Sequence, residues 1–135
     1  MYSFDYTYRV RYADTDKMGY MYYGHYARLY EIGRVEALRS LGIRYKDLED
    51  EGIIMPVLEN YSKYFKPALY DELLTIRIML KTIPGTRSVF TYEIYNESEV
   101  KIHEGQTTLV FYSVETQKVI PCPAAITKAL EPFYN

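Results

Sequence analysis

Tryptophan is absent from the 135-residue sequence, cysteine occurs once and histidine twice. The single cysteine, Cys122, excludes an intramolecular disulfide and a cysteine zinc site, and it favours a reducing compartment. A net charge of −2 gives no broad positive field of the kind that nucleic-acid binding needs. No apolar run is long enough to span a membrane or to form a signal-peptide core. We therefore expect a cytoplasmic protein with no nucleic-acid partner.

Length and composition are those of one globular domain. The chain is long enough to bury a core but too short for a second domain of similar size, so residues 1–135 are expected to form a single domain. Hydrophobic residues make up 48% of the sequence and charged residues 25%, which excludes a disordered chain. The 17 tyrosines indicate many amphipathic side chains at half-buried surfaces, interfaces or a pocket.

Hydrophobic periodicity predicts one strand followed by one long helix. Residues 5–12 alternate between apolar and polar, which is typical of a half-buried strand with Tyr12 on its apolar face. Residues 25–41 carry a wide apolar stripe at helical spacing, which predicts a largely buried helix capped by Gly42. Two ion pairs are expected on its polar side, Glu31 with Arg34 and Glu36 with Arg39.

The remainder of the chain alternates with the period of strands. A helical turn at 45–52 precedes four strand candidates, at 53–65, 72–82, 88–97 and 101–115, and a short helix is expected within 121–133. Because the strands follow one another across short turns, we expect a mostly antiparallel sheet, class α+β, with the long helix on one face. Open sheet edges rich in tyrosine predict at least a dimer.

The segment 11–26, RYADTDKMGYMYYGHY, contains two aspartates and a glycine in a spacing that invites a calcium-loop interpretation. An EF-hand loop starting at Asp14 would need oxygen ligands where Met18 and His25 stand. The two histidines, His25 and His103, belong to different elements and show no zinc-type spacing. No metal site is predicted.

Two interpretations of this segment follow from the residues alone. Asp14, Asp16 and Gly19 could simply form a turn that caps the helix. The carboxylates also stand just ahead of a long helix whose first N–H groups are unpaired and could polarise a carbonyl. A carboxylate beside such donors can serve acyl transfer as nucleophile or general base, and a thioester suits it because a thiolate leaves readily.

Other common catalytic patterns are missing. The sequence has no G-x-S-x-G elbow, which disfavours a serine hydrolase. It has neither a phosphate-binding G-x-x-x-x-G-K-[ST] loop nor a G-x-G-x-x-G dinucleotide motif. Nucleotide-dependent chemistry is therefore disfavoured.

Four segments, 11–43, 60–74, 87–97 and 104–115, resemble the 4-hydroxybenzoyl-CoA thioesterase-like acyl-CoA thioesterases of the hotdog fold. The resemblance implies a five-stranded antiparallel sheet wrapped around the long helix, with a short C-terminal helix. It also implies sites at a dimer interface, pairs of dimers that form homotetramers, and hydrolysis of an acyl-CoA to a carboxylic acid and free CoA. Coenzyme A is then part of the substrate, and no separate cofactor is expected.

The resemblance also implies roles for residues of the opening segment. Asp16 matches the catalytic aspartate, as nucleophile or base, and Asp14 is its supporting neighbour. The backbone N–H of Tyr23 matches the group that polarises the thioester carbonyl, and Gly19 supplies the bend. His25 stands where the family usually has asparagine, and it is expected to position substrate or fix the loop.

Coenzyme A phosphates need cationic or amide partners, and four residues near strand ends are candidates: Lys63, Lys66, Arg87 and Ser88. Two alternatives stay open, a hotdog enoyl-CoA hydratase or dehydratase with His25 as base, and a non-catalytic acyl-CoA-binding module. The acyl group, aromatic or aliphatic, is left open. Gly105 is expected to permit a bulge or a close backbone approach, and His103 is given no role.

Overall fold

A computed structural model describes residues 1–134, and the elements form in the predicted order. The strands are β1 (Tyr2–Arg9), β2 (Ile53–Ile54), β3 (Val57–Tyr64), β4 (Leu73–Leu80), β5 (Arg87–Tyr95), β6 (Lys101–Ser113) and β7 (Lys118–Ile120). The helices are α1 (Tyr26–Ser40), α2 (Tyr45–Asp50) and α3 (Ala124–Leu130). The predicted α+β class and the short C-terminal helix are confirmed.

The five long strands form one curled antiparallel sheet in the order β1-β4-β5-β6-β3. The two short strands β2 and β7 also pair with β6, the longest strand. Helix α1 packs on the inner face of this sheet and contacts β1 and β4. The predicted wrapped sheet and central helix of a hotdog fold are therefore confirmed, with two short strands added.

Helix α1 ends as its sequence predicts. Gly42 has φ +84°, a left-handed conformation that costs glycine little, and its N–H donates to the Arg39 carbonyl at 2.9 Å. The Ile43 N–H donates to the Leu38 carbonyl at 3.0 Å, which completes the cap. The buried stripe consists of Tyr26, Leu29, Tyr30, Gly33, Ala37 and Leu38. These residues hold the start of the helix, and thus the candidate site, against the sheet.

The two predicted ion pairs on α1 have different outcomes. Arg39 Nε lies 3.4 Å from the Glu36 carboxylate, as expected. The prediction of an ion pair between Glu31 and Arg34 is wrong. Arg34 turns toward the sheet instead and donates from Nη1 to the Tyr92 hydroxyl at 2.9 Å.

Strand boundaries differ from the sequence prediction at both ends of the first strand, at Pro56 and at β7, and by up to two residues elsewhere. The first strand begins at Tyr2 and not at residue 5. The first strand ends at Arg9 and not at residue 12, because the Asp14 carboxylate accepts the Arg11 N–H at 2.8 Å and starts a 3-10 turn. The predicted strand 53–65 is divided into β2 and β3 at Pro56, which has no N–H for a sheet hydrogen bond. Strand β7 was missed because it has three residues, two of them exposed.

Gly105 in β6 allows the helix to approach the sheet closely. Tyr30 stacks on Tyr92 with ring centroids 4.0 Å apart, and a Cβ at residue 105 would overlap the Tyr30 hydroxyl. The same Cβ would lie 2.9 Å from the Tyr61 carbonyl oxygen. This oxygen belongs to the backbone of the paired strand β3 and cannot move aside as a side chain can. The predicted close backbone approach at Gly105 is confirmed.

Gly105→Ala is expected to lower the free energy of unfolding by about 2 kcal/mol, because the added methyl group overpacks against a buried tyrosine and backbone. Urea unfolding followed by circular dichroism measures this. Gly85→Ala is the matched control, since no atom lies within 4 Å of a Cβ built there, and its effect should stay within about 0.5 kcal/mol. Equal effects of the two substitutions would contradict this packing argument.

Candidate active site

Asp16 forms a tight turn between the first strand and α1. Its Oδ1 accepts the Met18 N–H at 2.9 Å and the Tyr20 N–H at 3.3 Å, and its carbonyl accepts the Gly19 N–H at 3.0 Å. Gly19 has φ +78°, which supplies the bend. The Asp16 side chain is exposed, and its Oδ2 makes no hydrogen bond to residues 1–134. One carboxylate oxygen thus holds the turn while the other is available to a ligand.

Asp14, two residues earlier, has the opposite environment. It is 5% exposed, and its Oδ2 accepts the Tyr8 hydroxyl at 2.7 Å and the Arg11 N–H at 2.8 Å. Its Oδ1 accepts Arg28 Nη2 at 2.8 Å. Burial alone would raise the pKa of Asp14, but the hydrogen bonds from Tyr8 and Arg11, with the Arg28 charge, hold that pKa below its usual range. Asp14 is therefore an ionised anchor for the loop.

The start of the helix presents backbone donors near Asp16. Residues Tyr23–His25 form a 3-10 turn that runs directly into α1, and its first two N–H groups, at Tyr23 and Gly24, have no acceptor in the described part of the chain. The Tyr22 N–H is bound to the Asp14 carbonyl at 2.8 Å, which fixes the approach to the turn. Anions and polarised carbonyl oxygens are stabilised at such helix starts.

A shallow cleft of about 310 Å³, which we name the Asp16 cleft, brings these groups together. Its lining is strongly aromatic and consists of Asp16, Tyr20, Met21, Tyr23, Tyr26, Tyr64, Phe65, Lys66 and Pro67. Of the predicted site residues, the structure thus joins Asp16, Tyr23 and Lys66. His25 is outside this lining, with its ring edge against Tyr22 at 5.7 Å between centroids.

A buried histidine supports the aromatic wall of the Asp16 cleft. His103 is fully buried and stacks on Tyr26 at 4.1 Å, while Tyr64 meets it edge-on at 4.9 Å. Its Nε2 is hydrogen-bonded to the Tyr30 hydroxyl, which also contacts Ser62 Oγ at 2.7 Å. Nδ1 has no partner in the described residues. Burial lowers the pKa of His103 to about 4, so the ring is neutral at physiological pH.

A second cleft, of about 400 Å³, lies between α1 and the first residues of β3. We name it the helix-side cleft, and its lining consists of Glu31, Arg34, Val35, Leu38, Tyr45, Glu49, Met55, Val57, Phe90 and Leu109. Arg34 Nη1 contacts the Tyr92 hydroxyl and, at 3.4 Å, Thr107 Oγ1. Within residues 1–134, no carboxylate lies within 4.0 Å of the Arg34 guanidinium.

The four candidate CoA-binding residues fall into two groups. Lys63 and Lys66 lie at the end of β3 beside the Asp16 cleft, where Lys63 Nζ sits 5.7 Å from the Phe65 ring centroid. Arg87 and Ser88 begin β5, at the same end of the sheet as the start of β3 but with β6 between the two strands, and Ser88 is buried. Within one chain the structure therefore does not bring all four together.

Strand β3 is the exposed edge of the sheet. Seven of its eight residues are exposed, four of them apolar or aromatic (Val57, Leu58, Tyr61 and Tyr64) and three polar or charged (Glu59, Asn60 and Lys63), and among residues 1–134 its only partner is β6. Strand β1, the opposite edge, exposes Ser3, Asp5, Thr7 and Arg9 instead. An apolar edge of this kind pairs readily with another strand, whereas a polar edge resists pairing.

Sequence reasoning missed Arg34 and His103 as parts of these clefts. The sequence did contain a signal that His103 faces the helix, because strand alternation places it with Gly105 and Thr107 on the helix-facing side of β6. Arg34 directly follows Gly33 of the buried stripe, so it lies beside that stripe and not on the solvent face.

No group of three or more His, Cys, Asp or Glu side chains within 1–134 converges in a way that could hold a metal ion. Over the same residues, no helix combines the length and apolar character that crossing a bilayer requires.

The chain is similar in sequence and in fold to several known proteins. A family model described as the thioesterase-like superfamily matches residues 10–130. The Bacillus subtilis protein YneP is 37% identical over 87 residues, which are 64% of this chain and 63% of that protein. The acyl-CoA thioester hydrolase YbgC of Escherichia coli is 32% identical over 102 residues, 76% of each chain. The DHNA-CoA thioesterase structure from Staphylococcus aureus has a TM-score of 0.83 at 32% identity, covering 99% of this chain and 85% of that one.

The fold and these similarities define the class as a hotdog thioester hydrolase. Within that class, the chain belongs to the thioesterase-like superfamily. The family resemblance and the enzyme class predicted from the sequence are confirmed.

The buried His103 predicts a pH-dependent stability. Its pKa is about 4 in the folded chain but near 6.5 when unfolded, so the unfolded chain binds the proton first as pH falls. This group should therefore remove about 3 kcal/mol of unfolding free energy as pH drops from about 6.5 to 4.

Urea unfolding at pH 7.5 and 4.5, for the wild type and His103→Gln, measures this contribution. The glutamine can still hydrogen-bond the Tyr30 hydroxyl, but it does not titrate. The wild type should lose about 2–3 kcal/mol more than the variant over this range. The same loss in both proteins would contradict the assignment.

Proposed function

We propose that the protein hydrolyses an acyl-CoA thioester to a carboxylic acid and free CoA, with Asp16 as the catalytic residue. The observation that carries this proposal is that Asp16 and Tyr23 line one cleft. The similarity to YbgC and to the Staphylococcus aureus DHNA-CoA thioesterase supports a CoA thioester as substrate. YbgC is named for acyl-CoA thioesters in general and the Staphylococcus aureus enzyme for DHNA-CoA, so the proposal specifies no acyl group.

In the proposed reaction, the thioester carbonyl oxygen accepts the N–H groups at the start of the helix. These donors stabilise the negative charge that develops as the carbonyl is attacked. Asp16 either attacks the carbonyl carbon itself, or removes a proton from the water that does. In the general-base route, water adds to the carbonyl carbon, the C–S bond breaks, CoA leaves as the thiolate, and water supplies the second carboxylate oxygen of the acid. In the nucleophilic route, C–S cleavage releases the thiolate and leaves an acyl–Asp16 anhydride, which water then hydrolyses to free the acid and regenerate the carboxylate.

Two features favour hydrolysis over the alternatives. A hydratase or dehydratase would use His25 as its base, and this residue packs against Tyr22 outside the Asp16 cleft. A non-catalytic binding module would not need a carboxylate with a free oxygen beside unpaired helix donors. Turnover of an acyl-CoA panel separates the enzyme from the binding module.

We further propose that two copies pair through β3 to form a dimer, with dimers associating as tetramers. The support for the first step is the exposed apolar character of β3 on an edge that lacks a second partner strand in residues 1–134. Pairing of two β3 strands would extend each sheet and cover Val57, Leu58, Tyr61 and Tyr64.

Asp16→Asn is expected to lower kcat for acyl-CoA hydrolysis roughly 100-fold or more, because the amide can neither attack nor take a proton. The substitution keeps an oxygen that accepts the Met18 and Tyr20 N–H groups, so the turn should survive. Thiol release measured with a thiol-reactive dye gives the rate. Asp50→Asn, an exposed carboxylate on α2, is the matched control and should retain full activity. Full activity of Asp16→Asn would contradict the proposed mechanism.

Leu58→Glu combined with Tyr61→Glu on β3 is expected to convert the protein to monomers, because the four added charges would meet across the interface. Sedimentation velocity measures the species. The control is Ser3→Glu with Thr7→Glu on β1, which places the same charges on the other sheet edge and should leave the oligomer intact. A monomeric wild type, or an unchanged β3 variant, would refute pairing through β3.

A further inference from the structure

Asp16 borders a second cleft besides the Asp16 cleft. We name it the outer cleft; it has a volume of about 580 Å³, and its lining consists of Tyr12, Thr15, Asp16, Lys17, Gly19 and Tyr70. Among residues 1–134, Asp16 alone belongs to the linings of both clefts. The carboxylate can therefore be approached from two directions.

Backbone hydrogen bonds fix the segment that carries Asp16 where the two clefts meet. The Asp16 N–H donates to the Tyr20 carbonyl at 2.8 Å, and the Met21 N–H donates to the Ala68 carbonyl at 2.8 Å. Tyr20 and Met21 line the Asp16 cleft, whereas Tyr70, two residues after Ala68, lines the outer cleft. The two approaches to the carboxylate thus lie on different sides of a hydrogen-bonded backbone segment.

The two clefts differ in chemistry. The Asp16 cleft contains Tyr23 at the start of the helix, and most of its other side chains are aromatic or apolar. The outer cleft is lined by four side chains that can hydrogen-bond water: Tyr12, Thr15, Lys17 and Tyr70. Polar walls of this kind hold water at little cost. The Asp16 cleft therefore suits the thioester, and the outer cleft suits the second reactant, water.

The charges of the outer cleft favour a neutral occupant. Among the described residues, its lining has one cation, Lys17, and one carboxylate, Asp16. An anion would be repelled by the carboxylate that it must approach, whereas water or a small alcohol would not.

The outer cleft also lies away from the edge strand through which we propose that two copies pair. Its lining residues lie in segments 12–19 and 70, outside β3, whereas Tyr64 of the Asp16 cleft is the last residue of β3. A bound thioester and a partner at β3 would restrict entry to the Asp16 cleft. The outer cleft would still connect Asp16 with bulk water.

We propose that water reaches Asp16 through the outer cleft while the thioester occupies the Asp16 cleft, and that Tyr12 and Tyr70 limit the size of the nucleophile that enters. These two rings meet edge to face with centroids 5.8 Å apart, and they are 79% and 56% exposed. This inference rests on the proposed hydrolysis. It makes both tyrosines specificity-determining residues for the nucleophile.

A small alcohol that enters by the same route gives an ester. In the general-base route, Asp16 takes the hydroxyl proton as the alcohol oxygen bonds to the acyl carbon, the C–S bond breaks, and the CoA thiolate receives the proton. In the nucleophilic route, the alcohol attacks the acyl–Asp16 anhydride after the thiol has left. Both routes give one ester and one free thiol, so the ester reports which nucleophile entered.

Tyr70→Ala tests the route by opening one wall of the outer cleft. Acyl-CoA is turned over in equal concentrations of methanol and 1-propanol, and mass spectrometry measures the ratio of propyl to methyl ester. We expect the ratio to rise about tenfold, because the larger alcohol loses a steric penalty. Tyr12→Ala opens the opposite wall and should raise the ratio in the same way. Circular dichroism checks the fold, and reactions without enzyme give the background.

Phe65→Ala is the matched control, because it removes a ring of similar exposure, 46%, from the Asp16 cleft. It should raise KM for the acyl-CoA and leave the ester ratio unchanged. A ratio that responds to Phe65→Ala and not to the tyrosine variants would mean entry through the Asp16 cleft and would overturn the inference. So would a propyl ester yield that neither tyrosine variant increases.

Failure of this inference can be told from failure of the proposed function. If the wild type releases no thiol from any acyl-CoA, the hydrolase assignment fails. If the wild type hydrolyses acyl-CoA and the tyrosine variants do not change the ester ratio, only the entry route fails.

Discussion

The buried carboxylate of Asp14 is the contact on which the candidate site depends. It joins the end of β1, through Tyr8 and the Arg11 N–H, to the helix, through Arg28. A buried carboxylate that lost these partners would cost several kcal/mol, so the loop has little freedom to rearrange. The Asp14 carbonyl also accepts the Tyr22 N–H, which leads the chain into the helix. The positions of Asp16 and of the helix start in the Asp16 cleft depend on this anchor.

The two aspartates show how environment divides one residue type between two tasks. Asp14 is closed off, with both oxygens bound by donors, and it cannot approach a ligand without losing them. Asp16 is exposed and uses one oxygen to hold its turn, which leaves the other for chemistry. This division also explains why a turn and a reactive group were both plausible from the sequence. Asp16 serves the turn and remains available.

The periodicity of apolar residues predicted most of the fold, because an element with one buried face must place apolar residues at its own structural period. The stripe from Tyr26 to Leu38 and the alternation of β4 and β5 each have one buried face, and such patterns leave little choice of element. The errors arose where a single local contact decided the structure. The Asp14 side chain ended the first strand early, and Pro56 divided β2 from β3.

The candidate site was predictable in part. Asp16, Tyr23 and Lys66 were found because they are close in sequence or carry the family pattern, and they share a cleft. The direction taken by Arg34 could not be read from the sequence, because it depends on Tyr92 and Thr107, which lie more than 50 residues away. Its apparent partner, Glu31, is nearer in sequence, but the sheet hydroxyls compete successfully for the guanidinium.

The account as a whole depends on Asp16 and the N–H groups at the start of the helix acting on one bound thioester. A crystal structure of Asp16→Asn with an unhydrolysed long-chain acyl-CoA tests this most directly. We expect the thioester carbonyl oxygen within hydrogen-bond distance of the Tyr23 or Gly24 N–H, and the side chain at position 16 beside the carbonyl carbon. A thioester carbonyl distant from the helix start, or from the side chain at position 16, would contradict it.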